Sequence, residues 1–540
     1  MCAKKTIKKL LIVVQNLLLA LLSGTLLALA FLDHQYFYCA WLAFIPLLFA
    51  IEKASLKASY LIGLITGLSF FTTATYWILD FIQISKDYGV NSGYFLSGVY
   101  WFYSAHCIAL AVPLFKWLKQ HSKAHEFLLF PLTFVVFTAA YPMLFSIRLG
   151  STQVGFHSAL QAIEFVGVHG LDSLILLFNI VVFRLLHTAI YSQDKHLKIS
   201  KWPYFCAIFA MATWFSYGQL SYAAWEAKLS SWDRLKVGLV QVNETPRLGK
   251  RVQYPGYSLS YPAEMEMTKR LSSIGAEIII WPEAQGKEYL NKSVVKRAFQ
   301  RQVNSFNSPL LFQDMQHISD PVTGTTITKY NTAVMLDKHG EQVGAYQKMK
   351  RIPFGEYLPF SHEMSWLKQW VGSYFGEFTD SLSAGKKPYL FEHEKVNIIP
   401  LICYETTFPR FVANAVTQQW PVAQMIKGKL LVGLSNDGWF GSSHLPYQHI
   451  MPSALRAVEN RLPLVHIANN GPSIVAAPSG KIIFTSDFQQ SAGYLVDVPY
   501  AASAQGSFYS RHPHLFMGAL QLVFILMIGR ALIYRHRAST

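Results

Sequence analysis

The sequence predicts an α-helical transmembrane bundle of about eight spans carrying one large α/β or α+β domain. Three observations predict it. The chain has 540 residues, 52% hydrophobic and only 14% charged, against roughly 25% charged in soluble domains. That deficit sits before residue 224 and after residue 510. Lysine and arginine fall on alternate loops between the apolar segments. The middle of the chain reads instead as short apolar runs of strand length, with helical stretches between them.

Eight apolar segments stand out, at 10–31, 36–51, 59–80, 94–115, 127–147, 160–183, 203–222 and 513–534. Most approach the ~20 residues a helix needs to cross a bilayer. The second is short, and the seventh is interrupted by Ser and Tyr. The first has the basic start of a signal peptide. It lacks a small-residue cleavage site and another span soon follows, so it is expected to be retained.

Basic residues then assign the sides. The N-terminus carries Lys4, Lys5, Lys8 and Lys9, and the turn Asp33-His-Gln35 carries none. The following loops alternate: Lys53 and Lys57, then Lys86 alone, then Lys116, Lys119 and Lys123, then Arg148 alone, then Arg184, Lys195, Lys198 and Lys201. The tail carries Arg530, Arg535 and Arg537. The positive-inside rule puts both termini in the cytoplasm and the middle domain outside. The expected division is 1–223 for seven spans, 224–510 for an extracytoplasmic domain, and 511–540 for a last span and cytoplasmic tail. Most of the net charge of +16 is therefore topological, and no nucleic-acid partner is expected.

His106, His157 and Glu164 lie in or at the edge of spans, where ionisable groups are functional candidates or helix-to-helix hydrogen-bonding groups. The outward loops 85–93 and 148–156 are Gly- and Ser-rich.

In the middle domain, strand-like runs occur at 235–243, 276–281, 331–336, 396–404, 430–435, 462–468 and 473–477. Helical stretches occur near 263–274 and 448–461, and Pro478-Ser-Gly480 marks a hairpin turn. A central sheet covered by helices is expected.

The run Val396-Asn-Ile-Ile-Pro-Leu-Ile-Cys-Tyr-Glu405 ends on a thiol. A buried strand that delivers a cysteine at its C-terminal end is a firm mount for a nucleophile. The five cysteines are Cys2, Cys39, Cys107, Cys206 and Cys403, and only Cys403 lies in the middle domain. Acyl chemistry at a thiol needs a base and a cation that steadies an oxyanion. Glu283, after Ile278-Ile-Ile-Trp-Pro, and Lys348, in Tyr346-Gln-Lys348, supply both types. Lys350 rivals Lys348, being on the same face if the segment is extended. His444 and His449 are spaced five apart, one more than a helix-face ligand pair needs, so no metal is expected.

Trp281-Pro-Glu283, Tyr346-Gln-Lys348, Pro353-Phe-Gly-Glu356, Cys403-Tyr-Glu405, Ser435-Asn-Asp-Gly-Trp-Phe-Gly441 and Asn469-Asn-Gly471 together resemble the nitrilase superfamily. Within it they resemble the apolipoprotein N-acyltransferase family, as does the arrangement of spans around an external domain. The resemblance implies an αββα sandwich and a triad of Glu283, Lys348 and Cys403. It implies supporting roles for Glu356, Tyr404 and Glu405, with the Tyr404 N–H as a second oxyanion donor. Lys348 is favoured over Lys350 by its position before Pro353-Phe-Gly-Glu356. Trp439, Phe440 and Asn436 are the expected substrate contacts.

The implied reaction passes an acyl chain from a phospholipid to Cys403, then to the α-amine of a diacylated apolipoprotein, with no cofactor. It implies a monomer in the bacterial inner membrane, among membrane lipids, with its catalytic domain on the periplasmic side. A membrane-tethered amidase or nitrilase acting on small amides is the alternative. Two departures stand out. The Thr245–Val252 loop lacks the family's Lys-Trp pair, leaving Tyr254 or Tyr257 to replace it, and Ala284 stands where serine is usual.

Overall fold

The computed structural model describes residues 2–86, 89–191, 200–245, 255–284, 286–320, 323, 325–359, 366, 382–418, 420 and 426–539. The chain divides into two compact units. One comprises Met1–Gln83, Tyr88–Ala224 and His512–Thr540, the other Ile84–Asp87 and Trp225–Arg511.

The first unit is helical. Among the described residues, six of its segments are long and apolar enough to cross a membrane: Thr6–Leu32, His34–Ile51, Leu56–Ala74, Val90–His121, Val168–Tyr191 and Leu515–Arg537. The expected fifth span is shorter, a helix at Glu126–Ala140. Pro142 follows, which removes an N–H and holds Tyr141 in extended backbone. The expected seventh span is a 28-residue helix, Trp202–Leu229. Ser216, Tyr217, Gln219, Ser221 and Tyr222 dilute its apolar character, and it is not among the six. The sixth begins late, because Gly167 at φ 66° breaks the chain before Val168.

Small residues let these helices approach. A Cβ on Gly67 would lie 2.6 Å from the Ala105 carbonyl oxygen, and one on Gly63 would lie 3.0 Å from the Ala109 Cα. Polar groups find partners between helices. His106 bonds the Tyr60 hydroxyl at 2.9 Å and the Phe102 carbonyl at 2.7 Å. The Tyr217 hydroxyl donates to Glu164, and the His157 ring stacks on Tyr222 at 4.8 Å. Arg184 pairs with Glu52 at 2.8 Å and with Glu126, which also holds Lys119 at 2.8 Å.

The second unit holds two six-stranded sheets. The first contains β1 (Asp233–Gln241), β2 (Ile278–Ile280), β3 (Leu310–Ser319), β4 (Thr326–Leu336), β5 (Gln342–Gln347) and β12 (Ala492–Tyr500), in the order β12-β1-β2-β3-β4-β5. The second contains β6 (Phe391–Glu392), β7 (Val396–Ile402), β8 (Gly428–Ser435), β9 (Leu464–Ala468), β10 (Ile474–Ala476) and β11 (Ile482–Thr485), in the order β11-β10-β9-β8-β7-β6. In each sheet three central strands run parallel, β1-β2-β3 and β7-β8-β9, with antiparallel strands outside them.

Strand alternation builds the layers. Ile278 and Ile280 face the core between the sheets, with Leu239, Leu311, Met335, Ile398, Val432 and Val465. Ile279 faces the other way, toward a core made with the helices Ala263–Ser273 and Ser293–Phe306. Ile399 and Leu401 of β7 are fully buried yet absent from the inter-sheet core. The architecture is thus the expected αββα sandwich. The Pro478-Ser-Gly480 turn joins β10 to β11, closed by the Ala477 N–H on the Lys481 carbonyl at 2.9 Å.

Gly67→Val is expected to overpack its helix contact and destabilise the protein by about 1–3 kcal/mol. Gly98→Val, where a Cβ meets nothing within 4 Å, is the control. Melting temperatures of the detergent-solubilised protein read the difference, and equal values for both variants would refute the close-approach reading.

Candidate active site

Each of the three central residues leaves a different strand. Glu283 follows β2 through Trp281 and Pro282. The Trp281 ring is fully buried against Phe299 and Phe312, and its Nε1 donates to the Thr268 hydroxyl at 2.8 Å. That anchor fixes where the next two residues emerge. Lys348 follows β5, and its N–H bonds the Asn331 carbonyl at 2.8 Å, one step beyond the β4 ladder. Cys403 follows β7, whose seven residues are all buried. It starts a short 3-10 turn, Cys403–Thr407, with φ at 51°. A non-glycine residue in that left-handed region is uncommon and marks a position held by its surroundings.

These residues converge. The Lys348 Nζ donates to Glu356 Oε1 at 2.8 Å and lies 3.9 Å from Glu283 Oε1. The Asn331 side-chain amide donates to the same Glu283 oxygen at 2.6 Å, and Gln313 fixes Asn331 at 3.0 Å. The Cys403 thiol shares this buried neighbourhood, where Glu283 and Lys348 act on it with opposite sign. Lys348 is 1% exposed and Cys403 6% exposed, so these charges interact with little screening.

The electrostatics follow from burial and neighbours. Burial lifts the Glu283 carboxyl above its ordinary range, with Lys348 opposing and Glu356 reinforcing. Burial works against the Lys348 charge, but Glu356 and Glu283 outweigh it, and the ammonium is held well above its ordinary value. Burial, with Glu283 beside it, pushes the Cys403 thiol far up despite Lys348. The resting thiol is protonated and needs a base in contact.

Glu405 ties these strand ends together. It is fully buried. One carboxylate oxygen accepts from the Tyr346 hydroxyl at 2.7 Å, the Met349 N–H at 2.7 Å and the Lys350 N–H at 3.0 Å. The other accepts from the Ile402 N–H at 2.8 Å. The chain around Lys348 is thereby fastened to the turn that carries Cys403. Glu356 does similar work nearby, taking Lys348 on one oxygen and the Ile352 N–H at 2.8 Å on the other.

Burial separates the rival lysines. β5 ends at Gln347, and Lys350 turns outward with its ammonium 5.8 Å from the Phe408 and Phe411 ring centroids. Tyr404 is buried, with its ring edge-on to Phe408 at 4.8 Å. Of the three expected substrate contacts, only Trp439 is partly exposed. Phe440 is buried, and the Asn436 side chain accepts from the Gly438 N–H at 3.3 Å and the Asn469 amide at 3.1 Å. The Thr245–Val252 loop beyond Thr245, and Tyr254, fall outside the described residues. Tyr257 is exposed.

Sequence reasoning missed four residues. Asn331 and Gln313 meet diagonally between β4 and β3, in a register that no local pattern reveals. Asp437 and His449 form a buried pair at 2.7 Å. Asp437 lies within the Ser435–Gly441 motif, while the spacing of His449 pairs it with His444, which is exposed. Cys403, Asp437 and His449 each offer a possible metal-ligand atom within 4.8 Å of the others. The facing atoms of Asp437 and His449 are already committed to each other, so the group reads as an ion pair beneath the thiol.

Glu405→Ala would strand three N–H groups and the Tyr346 hydroxyl in a dry interior. A loss of about 3 kcal/mol or more is expected. The melting temperature should fall well below that of Lys350→Ala, and parity between the two would refute the fastening role.

Known proteins can now be set beside this geometry. Residues 23–181 match the family model of the apolipoprotein N-acyltransferase N-terminal domain. Residues 252–502 match the carbon-nitrogen hydrolase model. An apolipoprotein N-acyltransferase of Geobacter metallireducens is 26% identical over 523 residues, covering 94% of this chain and 93% of that protein. Another, from Chlorobaculum tepidum, is 25% identical over 533 residues, covering 92% and 93%. Among solved structures, an amidase from Nesterenkonia sp. aligns with 49% of this chain and 91% of its own, at 18% identity and a TM-score of 0.35. Two domain models matched in order, and relatives alike along nearly their whole length, lead to one conclusion: the chain is similar throughout to the apolipoprotein N-acyltransferases, apolar helices joined to a carbon-nitrogen hydrolase domain.

Proposed function

We propose that this protein transfers an acyl chain from a phospholipid to the α-amine of an apolipoprotein's N-terminal diacylglyceryl-cysteine, through a thioester on Cys403. The observation that carries the reading is the buried Lys348 ammonium 3.9 Å from Glu283, both acting on the buried Cys403 thiol, in a chain matched by both domain models.

The roles follow from the contacts. Glu283 takes the thiol proton as Sγ attacks the donor's ester carbonyl. The oxyanion faces the Lys348 ammonium and the Tyr404 N–H. Collapse breaks the ester C–O bond, and the lysophospholipid alkoxide recovers the proton from Glu283. In the second half, the lipoprotein amine attacks the thioester carbonyl, Glu283 takes the amine proton, and the Cys403 thiolate leaves and is reprotonated. The thioester divides one difficult ester-to-amide exchange into two easier steps. Glu356 keeps Lys348 charged and aimed, while Glu405 and Tyr404 hold the turn.

Membrane placement belongs to the same proposal. The charge alternation supports an inner-membrane protein with cytoplasmic termini and the catalytic domain on the periplasmic side. Glu283, Lys348 and Cys403 come from one chain, so a monomer suffices. An amidase would share the triad and differ in admitting water as acceptor.

Mass spectrometry of the purified protein with phospholipid and no acceptor tests this directly. A gain of one acyl chain on Cys403, discharged by a diacylated lipopeptide, is expected, and Cys403→Ala should show no gain. A chain released only to water would replace transfer with hydrolysis.

Glu283→Gln should keep its melting temperature within about 2 °C while slowing both half-reactions by about 10²–10⁴-fold. The raised Glu283 carboxyl also sets the acid limb. The base works only when ionised, so single-turnover acylation should climb as pH rises through a value above that of free glutamate. A rate already at its plateau below that range would remove Glu283 as the base.

A further inference from the structure

Beneath the nucleophile lies a polar cluster that the triad does not use. The helix Leu445–Asn460 carries His449 into it, and the turn after β8 carries Asp437. His449 Nδ1 lies 2.7 Å from Asp437 Oδ1, and His449 Nε2 lies 3.3 Å from the Cys403 carbonyl oxygen. The Ser435 hydroxyl donates to Asp437 at 2.9 Å, and the Thr406 hydroxyl donates to the Cys403 carbonyl at 3.2 Å. His466 stands edge-on to His449 at 5.0 Å, with neither ring nitrogen partnered among the described residues.

Each ring nitrogen of His449 faces an acceptor: a carboxylate at Nδ1, a carbonyl at Nε2. The Thr406 hydroxyl also lies 3.4 Å from Nε2; with its proton given to the Cys403 carbonyl, only the doubly protonated imidazolium satisfies both ring nitrogens. Asp437 supplies the compensating charge. Burial opposes the His449 charge, yet the Asp437 carboxylate outweighs it and raises His449 above its ordinary value. His466, buried against that cation, is pushed down to about 3 and stays neutral.

The carbonyl that His449 holds belongs to the Cys403–Tyr404 peptide. In a trans peptide the C=O and N–H point in opposite directions from one rigid plane. Fixing the carbonyl from behind therefore aims the Tyr404 N–H forward. A cationic donor on the carbonyl also polarises the amide and strengthens its N–H as a donor. The same bond restrains Cys403 at its left-handed φ of 51°.

We infer that His449, paired with Asp437, is a positioning residue that aims and polarises the Tyr404 N–H for the oxyanion of each acyl-transfer step. The inference rests on Cys403 as nucleophile and the Tyr404 N–H as oxyanion donor.

The test separates oxyanion support from thiolate formation. Acylation by a p-nitrophenyl ester passes through an oxyanion, whereas alkylation by iodoacetamide displaces iodide at a saturated carbon and forms none. His449→Ala should slow acylation about 10- to 100-fold, less than the ~10²–10³ expected on losing an oxyanion donor outright. Iodoacetamide labelling of Cys403 should stay within about 3-fold of wild type. His449→Gln keeps an N–H donor for the Cys403 carbonyl but loses the charge, so it should fall between wild type and His449→Ala. Should His449→Ala not fold, the acylation-to-alkylation ratio of His449→Gln carries the test alone.

Equal losses in both reactions would assign His449 to thiol activation or folding, and no loss in either would end the proposal. A wild type acylated by the p-nitrophenyl ester but not by phospholipid would defeat the transferase reading and leave this one standing. A wild type acylated by neither would defeat both.

Discussion

The buried Glu405 carboxylate is the constraint on which the catalytic geometry depends. A charge with no exposure to water survives only when donors surround it. Here four donors converge on two oxygens, and they come from both sheets. Tyr346, Met349 and Lys350 belong to the end of β5, while Ile402 and Glu405 belong to the end of β7. Satisfying one carboxylate therefore brings the lysine-bearing chain and the cysteine-bearing turn to a single separation. Hydrophobic packing between the sheets could hold them together, but it is non-directional. The hydrogen bonds supply the direction.

The site stores its charge in matched pieces. Lys348 sits between Glu356 and Glu283, closer to the former. Asp437 and His449 form a second pair below. Glu356 takes the direct bond to Lys348 at 2.8 Å, while Glu283 has the same ammonium at 3.9 Å and one hydrogen bond, from the Asn331 amide. A carboxylate that is buried and weakly compensated stays basic enough to accept a proton. The distances thus fit the proposed division between two glutamates beside one lysine, one holding the cation and one exchanging protons.

The helical unit uses a different vocabulary. Lipid tails give helices no hydrophobic reason to associate, so small residues and hydrogen bonds must serve. Gly63 and Gly67 admit the backbone of a neighbouring helix, and the pairs His106–Tyr60 and Tyr217–Glu164 link helices through side chains. The ionisable groups singled out in these segments are occupied in such contacts.

The sequence by itself determined the two-part architecture, five of the six strands in the parallel cores and the strand ends that carry Glu283 and Cys403. Each of those is written locally, as hydrophobic period, loop charge, or a chemical group at a strand end. Strands β3, β5 and β12 were less legible. β3 mixes Gln and Asp into its apolar run, β5 is short, with Gly344 at its centre and Gln at both ends, and β12 carries Pro499, tolerated because the strand lies at an edge. Only the tertiary structure decided that Lys348 is buried while Lys350 is not, that Glu405 spans two sheets, and that His449 reaches the Cys403 carbonyl from 46 residues away. The left-handed backbone of Cys403 was equally invisible, since no residue type announces it. Period and composition report which way a side chain faces. What it meets there depends on the register of strands drawn from distant parts of the chain, and that is fixed only when the two sheets pack.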